Sequence, residues 1–309
     1  MAGVINPEFP DEVVFITSRT NLSRLWFKLT PELCEFFHGA LARYQEFYEV
    51  DIYGFCLMGN HYHLLARFPK ANRAAFERSF NSMLARAVPR FVKGFAGGKF
   101  WGRPYKFQIV PESEDIINWF LYTILNPVSS GITTNPTALG RPNALSVIRE
   151  GSNRVCRWFN RTNYENAKRK NPNVDKQRYY TNHTLKVSRL PGLEDLTDSQ
   201  YIARIEELVR ERREKILAER RSKGLGYLGE KNLRLQKAGV KPRHTKTSTR
   251  ESYNPLVLSL CQKARQRVLK VYLNIADCYK VASHKFRNRM KGYVFPQNTY
   301  LPPCCIALS

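Results

Sequence analysis

The stretch Leu57-Met58-Gly59-Asn60-His61-Tyr62-His63-Leu64-Leu65 decides the fold of this chain. It has the pattern of a strand that follows a tight turn at its Gly-Asn step. Because successive side chains of a strand point to opposite faces, His61 and His63 share one face and Tyr62 points to the other. Two neutral imidazoles side by side can bind a divalent metal, or they can be hydrogen-bonded histidines of a half-buried sheet. The short pattern alone leaves both interpretations open.

A second segment, residues 113–126, predicts a helix with one unusual face. Ser113 is the expected N-cap, and Pro127 disfavours helical geometry in the residue before it, so the helix is expected to end at Asn126. Apolar residues at spacings of three and four form a stripe. Tyr122 lies about 200° from its neighbours on that stripe and shares a face with Asn118 and Asn126. In isolation, such a tyrosine is most simply an exposed residue of an amphipathic helix.

Together the two segments resemble the single-tyrosine HUH transposases, and within them the REP-associated tyrosine transposases. The motifs are residues 58–65 and 122–128, and the similarity extends over about residues 10–135. Residues 15–19 are similar to the family's first strand, and residues 100–103 to its Trp-containing stretch. The sequence departs from the family pattern at Gly59 (usually proline), Thr123 (commonly isoleucine) and Leu121 (a basic residue). None of these departures removes a chemical group that the family's reaction needs.

The resemblance implies an enzyme, a metal-dependent single-stranded DNA endonuclease and strand transferase that cleaves beside DNA hairpins. Tyr122 would be the nucleophile and would form a 5′-phosphotyrosine intermediate. His61, His63 and Asn126 would bind the metal, because the family's third ligand follows the tyrosine by four residues. Oxygen ligands favour Mg²⁺ or Mn²⁺, and a phenol with a pKa near 10 needs such an ion to attack a phosphodiester. A monomer and a homodimer both remain open.

Two other interpretations compete with this one. A domesticated relative on the same scaffold would bind DNA or RNA without cleaving it, and its mark would be the loss of His61, His63, Tyr122 or Asn126. None is lost here. An RRM-type RNA-binding protein would have the same order of strands and helices, but it needs exposed aromatic residues on its central strands. Tyr62 points away from the histidine face and does not supply such a platform.

The charge of the chain is unevenly distributed. The net charge is +24, and residues 1–150 contain 16 Lys/Arg and 13 Asp/Glu, against 34 and 13 in residues 151–309. Such a one-sided excess predicts a polyanionic partner, which we take to be single-stranded or hairpin DNA. The candidate DNA-contacting cations are Arg19, Arg103 and Lys106 near the motifs, and Arg157, Arg161, Lys241, Arg243, Lys285, Arg287 and Arg289 in the basic half.

The elements of the first half predict an α+β fold. Strands are expected at residues 13–18, 52–57, 61–68 and 107–110, and helices at 31–50, 72–92 and 113–126. Thr30 before Pro31 is a typical helix start. The order β-α-β-β-α-β with an appended helix is that of a ferredoxin-like sandwich, which is also the fold of the family. We therefore expect a nuclease domain over residues 1–135 and a basic, mainly helical DNA-binding extension over 136–309.

The extension is expected to contain several helices. Residues 154–170 mix aromatic and cationic side chains, which suits either base stacking or a small amphipathic helix. Residues 197–222 are expected to be the longest helix, and 255–271 with 274–290 a helix pair of helix-turn-helix type. The seven cysteines show no paired framework and are expected to be reduced thiols. With no apparent signal peptide or long apolar run, we expect a cytoplasmic, nucleoid-associated bacterial protein without a membrane partner.

Overall fold

The protein is a mixed α/β structure built on a small antiparallel sheet. The computed structural model describes residues 7–242, 256–297, 299, 301 and 302. The strands of the main sheet are β1 (Glu12–Arg19), β2 (Asp51–Leu57), β3 (His61–Phe68) and β4 (Lys106–Ile109). The helices of the same half are α1 (Pro31–Tyr48), α2 (Arg73–Phe91), α3 (Ser113–Ile124) and α4 (Asn126–Ser129). The four strands predicted from the sequence are present, each with its ends within one residue.

The main sheet has the spatial order β2-β3-β1-β4, with every neighbouring pair antiparallel. In the register of β1 with β3, Thr17 lies opposite His63 and Arg19 lies opposite His61. Thr17 also lies opposite Lys106 of β4. Directly opposed residues point to the same face of a sheet, so these five side chains belong to one face.

Helices α1 and α2 cover the other face of the sheet, on which Tyr62 is buried. The Tyr62 hydroxyl donates a hydrogen bond of 2.9 Å to the Glu77 carboxylate of α2, and its ring packs against Phe37 of α1. Helix α1 begins as predicted, since the Thr30 hydroxyl accepts a hydrogen bond from the Leu33 amide at 3.3 Å. The two faces are therefore chemically distinct: one is an aromatic core, and the other carries the histidines.

Helix α3 differs from its prediction at both ends. Glu112, not Ser113, is the N-cap residue, and its side chain makes no capping hydrogen bond. The helix ends at Ile124, and Leu125 (φ −91°, ψ 6°) separates it from the short helix α4. The cause is Pro127, which has no amide hydrogen and whose ring clashes with the carbonyl of Thr123 in a continuous helix. Tyr122 and Asn126 consequently lie on two successive helices rather than on one.

The second half contains a two-stranded antiparallel sheet that we did not predict. Its strands are β5 (Asn153–Phe159) and β6 (Tyr180–Lys186). The helices of this half are α5 (Ala144–Arg149), α6 (Arg161–Lys170), α7 (Asp198–Ser222), α8 (Glu230–Leu235) and α9 (Gln262–Arg287). Of the two interpretations left open for residues 154–170, the amphipathic helix applies only from Arg161 onward. The residues before it form β5, whose burial alternates, with Cys156 and Trp158 inside and Val155 and Arg157 outside. That period of two belongs to a strand.

The predicted helix pair near the C-terminus is a single helix. Helix α9 runs without interruption through residues 272–273, where we expected a turn. No glycine or proline occurs between residues 262 and 287, so nothing in the sequence forces the chain out of helical geometry. With 26 residues α9 is also longer than α7, which has 25. The residues described thus form no helix-turn-helix at this place.

The second half packs closely against the first. The Gln45 amide of α1 donates hydrogen bonds to the carbonyls of Val50 (3.1 Å) and Lys186 (2.8 Å). Main-chain hydrogen bonds of 2.7 Å join Ile109 of β4 to Leu256 and Leu258. The domain boundary at 135/136 stays a prediction. Among the helices of the described residues, none has the length and apolar character needed to cross a membrane.

Candidate active site

The two histidines of β3 form a buried pair on the sheet face that α3 covers. Only 8% of His61 and 4% of His63 is exposed, and their ring centroids are 4.8 Å apart. Phe15 of β1 stacks on His63 at 5.1 Å. The pair therefore lies buried beside β1, on the sheet face that α3 covers.

Each histidine has a partner for one of its ring nitrogens. The Nδ1 atom of His61 lies 2.6 Å from the Asn60 side-chain oxygen, and the Nδ1 atom of His63 lies 2.9 Å from the Thr17 hydroxyl. When Nδ1 carries the hydrogen and donates it, Nε2 keeps a free lone pair. Partners of this kind orient the histidine ligands of metal sites.

Burial keeps both rings in their neutral form. It lowers the pKa of His63 to about 3, and the Arg19 guanidinium acts in the same direction. The pKa of His61 is lowered well below its ordinary value, first by burial and then by the neighbouring His63. Neutral imidazoles are the form that binds metals.

Tyr122 of α3 stands over the histidine pair. Its ring centroid lies 5.6 Å from that of His63, 5.7 Å from Phe15 and 4.9 Å from Trp119. The side chain remains 42% exposed, so a ligand can reach it. Partial burial raises the pKa of the Tyr122 phenol, and the Arg19 guanidinium opposes that shift. The tyrosine is therefore a neutral phenol, fixed between aromatic rings and close to a cation.

Asn126, the first residue of α4, lies against the other histidine. It is 5% exposed, and a hydrogen bond between its side chain and His61 acts against the lowering of the His61 pKa. Its side-chain oxygen also accepts a hydrogen bond of 3.3 Å from the Ser130 hydroxyl. The break at Leu125 thus leaves Tyr122 beside His63 and Asn126 beside His61.

The donor set fits a divalent metal that accepts nitrogen and oxygen ligands. Two neutral imidazoles and one amide oxygen converge, as Mg²⁺ or Mn²⁺ sites with few protein ligands allow. In the part of the chain that the structure describes, no three His, Cys, Asp or Glu residues cluster as a metal site would require. A third ligand among the neighbours of the pair would therefore be the Asn126 oxygen.

The predicted DNA-contacting cations of the first half surround this site. Arg19 faces His61 across the strand pair and acts electrostatically on Tyr122. Burial lowers the pKa of Arg19. Lys106 lies on the same face, one strand beyond Thr17, and is exposed. Arg103 is exposed in the loop whose Gly102 amide donates to the Arg19 carbonyl at 2.9 Å.

The predicted cations of the second half lie elsewhere. Arg157 is on β5 and Arg161 begins α6, while Lys241 is exposed beside a segment that pairs with Leu25. Lys285 and Arg287 are in the last turn of α9, and Arg289 follows that helix. No contact among the described residues brings any of these side chains to the histidine pair. Arg243 lies outside the described residues.

Sequence reasoning missed the residues that hold the site together. Asn60 and Thr17 were seen only as parts of a motif and of a strand. Asn143, fully buried, joins the end of α3 to β2. Arg141 is 1% exposed and donates to the Leu57 carbonyl at 3.2 Å, just before the histidine turn. Neither Asn143 nor Arg141 belongs to a motif, and no local sequence signal distinguishes either residue.

Comparisons with known proteins add little to this geometry. No family model and no curated protein sequence matches the chain. One solved structure with similarity to it is a REP-associated tyrosine transposase bound to a REP hairpin. The identity is 15%, the TM-score is 0.36, and the match covers 42% of this chain and 75% of the other. A superposition this loose assigns neither fold nor activity to this chain.

Proposed function

We propose that this protein is a metal-dependent single-stranded DNA endonuclease and strand transferase, a transposase that cleaves beside DNA hairpins. The observation that carries the proposal is the approach of Tyr122 to the buried histidine pair, with ring centroids 5.6 Å apart. The resemblance of the two sequence motifs to single-tyrosine HUH transposases supports it. An ordinary surface tyrosine of an amphipathic helix is not expected to pack against two neutral imidazoles that can bind a metal.

In the proposed reaction, the Tyr122 oxygen attacks the phosphorus of a DNA phosphodiester. A bond forms between that oxygen and phosphorus, and the bond from phosphorus to the 3′ oxygen breaks. The phenol loses its proton, and the leaving 3′ oxygen gains one to become a hydroxyl, so charges and atoms balance. The 5′-phosphotyrosine keeps the energy of the broken bond, which allows a second 3′-hydroxyl to reverse the step on another strand.

The residues around Tyr122 have distinct proposed roles. His61, His63 and Asn126 would hold Mg²⁺ or Mn²⁺, which when bound would polarise the phosphate and offset its developing charge. Arg19 would bind the same phosphate and favour the phenolate, because its charge already opposes the rise in the Tyr122 pKa that burial causes. Asn60 and Thr17 would fix the two imidazoles through their Nδ1 atoms. Lys106 and Arg103 would guide the flanking strand.

We also propose that the first half is a ferredoxin-like sandwich working as one chain. The order β-α-β-β-α-β and the spatial order β2-β3-β1-β4 support that fold. Tyr122 and both histidines come together within a single chain, which supports cleavage by a monomer. A dimer that exchanged its tyrosine helices would instead take Tyr122 from the partner.

The deciding experiment is a denaturing gel that detects a covalent protein–DNA adduct. Single-stranded hairpin oligonucleotides from the gene's own flanks are incubated with Mn²⁺, Mg²⁺ or EDTA. We expect an adduct with either metal, none with EDTA and none for Tyr122→Phe, because that variant lacks only the attacking oxygen. Tyr279→Phe, which removes a hydroxyl from α9, is the matched control and should form the adduct normally.

A second candidate is a non-catalytic DNA-binding protein on the same scaffold. The net charge of +24 favours nucleic-acid binding whether or not cleavage occurs. Tight hairpin binding by the wild type without any adduct would favour this candidate. An adduct that persists in Tyr122→Phe would overturn the role of the tyrosine.

A further inference from the structure

A second cationic surface lies in residues 153–186, here called the basic hairpin. It consists of β5, α6, a short 3-10 helix (Lys176–Tyr179) and β6. Its 34 residues contain nine Lys/Arg and only two Asp/Glu. Two of the nine cations, Arg154 and Arg161, form ion pairs with glutamates. The other seven have no ion pair with any described residue; they are Arg157, Lys168, Arg169, Lys170, Lys176, Arg178 and Lys186.

Aromatic rings hold three of these cations in place. The Arg157 guanidinium lies 3.8 Å from the centre of the Tyr180 ring, Lys176 lies 5.1 Å from that of Phe159, and Lys168 lies 5.8 Å from that of Tyr164. The rings pack on one another, with Phe159 4.8 Å from Tyr180. Contact with a ring restrains a long side chain, so its charge needs less ordering when a ligand binds.

The same contacts decide what kind of ligand fits. Unpaired bases bind proteins by stacking on free aromatic faces. Here a guanidinium covers one face of Tyr180, and the other rings are half-buried against each other and approached by lysines. What the surface presents is therefore charge at fixed positions. Charge of this kind matches phosphates, which a duplex displays at regular spacing.

The basic hairpin is separated from Tyr122 by the sheet and α1. Trp158 packs on Phe36 of α1, with ring centroids 5.6 Å apart. At Gly39 the two elements approach so closely that a Cβ atom would lie 2.8 Å from the Arg157 carbonyl oxygen. Helix α1 covers the Tyr62 face of the sheet, whereas α3 covers the histidine face. A strand at Tyr122 thus does not lie on this surface.

We propose that the basic hairpin is a phosphate-binding surface for duplex DNA, independent of sequence and distinct from the Tyr122 site. The choice of DNA as the polyanion rests on the proposed function, but the binding does not depend on cleavage. The surface anchors a duplex segment away from the cleaved phosphate, such as the remote part of a stem or a second molecule. Its contribution appears in affinity and in the dependence of binding on salt.

The test compares two triple variants that lose the same charge. Arg157→Gln/Lys168→Gln/Lys176→Gln removes the three cations fixed on rings. Arg212→Gln/Lys215→Gln/Arg221→Gln removes three exposed cations of α7 and is the control. Both are made in the Tyr122→Phe background and titrated by fluorescence anisotropy, in EDTA, with a duplex of arbitrary sequence from 50 to 300 mM salt. Because no cleavage can occur under these conditions, the measurement tests duplex binding even if the cleavage proposal is wrong.

We expect the ring-held variant to lose at least about tenfold in affinity near 100 mM salt, and its salt slope to fall by about 2 to 3, because each phosphate contact contributes roughly 0.9. The control should change by less than about twofold. Equal affinity for the two variants would overturn the proposal. Tighter binding of a single strand than of the duplex, lost in the ring-held variant, would overturn the assignment to duplex DNA.

A footprint on the wild-type protein tests the same proposal without any substitution, so its result does not depend on whether a variant folds. Lysine acetylation is followed by mass spectrometry with and without duplex. Lys168, Lys170 and Lys176 should be protected at least about threefold, while Lys215 stays reactive. Equal reactivity of the basic hairpin lysines with and without bound duplex would refute the proposal.

Discussion

The side-chain amide of Asn143 donates a hydrogen bond of 2.9 Å to the main-chain carbonyl of Ile124. Ile124 is the last residue of the helix that carries Tyr122, and the same amide reaches the Cys56 sulfur of β2 at 3.7 Å. Cys56 is directly opposite His63 in the sheet. One buried side chain thus links the tyrosine helix to the strand next to the histidines.

Removing that link should affect both stability and reactivity. Asn143→Ala leaves the Ile124 carbonyl without its buried donor, and we expect a loss of about 1–3 kcal/mol in the free energy of unfolding. The rate of adduct formation should fall, because α3 and its Tyr122 lose their position. The affinity for a DNA hairpin should stay within about twofold, because the cations remain. Chemical denaturation and single-turnover gels measure the two effects. Asn166→Ala, an exposed position of α6, is the control and should change stability by less than about 0.5 kcal/mol.

Asn126 offers a direct test of the metal site. Asn126→Asp keeps an oxygen ligand and adds a charge, so Mn²⁺ binding and the adduct should both be retained. Asn126→Leu removes the oxygen, and Mn²⁺ affinity should fall by about tenfold or more. Electron paramagnetic resonance of Mn²⁺ reports binding without any DNA. Asn118→Leu, an exposed residue of α3, should leave Mn²⁺ affinity unchanged; equal affinity for Asn126→Leu and wild type would remove Asn126 from the site.

Arg19 should set the pH at which Tyr122 reacts. Burial raises the pKa of Tyr122, and the Arg19 charge lowers it, so Arg19→Gln should raise that pKa further. Because the phenolate is the nucleophile, the adduct rate rises with pH toward the pKa of the phenol. In Arg19→Gln the whole rise should move to higher pH, and the rate at pH 7.5 should fall because a smaller fraction of Tyr122 is ionised there. Arg103→Gln removes a charge that is not among the causes of the Tyr122 pKa shift, so it should keep the wild-type profile. An unshifted Arg19→Gln profile would contradict the role of Arg19.

Glu77 makes the stability of the fold depend on pH. Its burial under Tyr62 raises its pKa from 4.5 to about 7. A carboxyl whose folded pKa is raised stabilises the fold fully below the unfolded pKa, and this contribution is lost as pH rises through the folded pKa. Glu77→Gln cannot ionise, so relative to wild type it should gain about 2–3 kcal/mol between pH 5 and pH 8. Urea unfolding at the two pH values measures the gain.

The control for that experiment is Glu114→Gln, at an exposed position in the first turn of α3. Its stability relative to wild type should be the same at both pH values. If the stability of Glu77→Gln relative to wild type were also the same at both pH values, ionising the Glu77 carboxyl would not destabilise the fold. Solvent would then have to reach that carboxyl in spite of its burial.

The first half could be predicted well because its signals are local. The alternation around His61, the Thr30-Pro31 helix start and the apolar stripe of α3 each act within a few residues. The exact end of α3 could not be predicted. We expected the helix to end at Asn126, but the Pro127 ring clashes with the carbonyl of Thr123 in a continuous helix, so the break falls earlier, at Leu125. The approach of Tyr122 to the histidine face could be predicted from the order of the elements and from the face of the helix or strand on which each residue lies.

The second half could be predicted poorly because its structure depends on distant contacts. Strand β5 is defined by pairing with β6 and by the packing of Trp158 on α1, neither of which leaves a local sequence pattern. The predicted turn before Asn274 has no glycine or proline to cause it, and α9 continues through that point. Asn143 and Arg141 act on residues about 20 and 80 positions earlier. Roles of this kind appear only when the chain is folded.

The pairing of Leu256 and Leu258 with Ile109 has a practical consequence for anyone shortening this chain. Strand β4 is the last strand of the main sheet, and these two residues cover its outer edge. A fragment ending near residue 135 would bare that edge and would also lose Tyr272, whose hydroxyl donates to Glu12 at 3.1 Å. Uncovered edges recruit strands from other molecules. Such a fragment is therefore a poor choice for crystallisation, and its insolubility would say nothing about whether the motifs are functional.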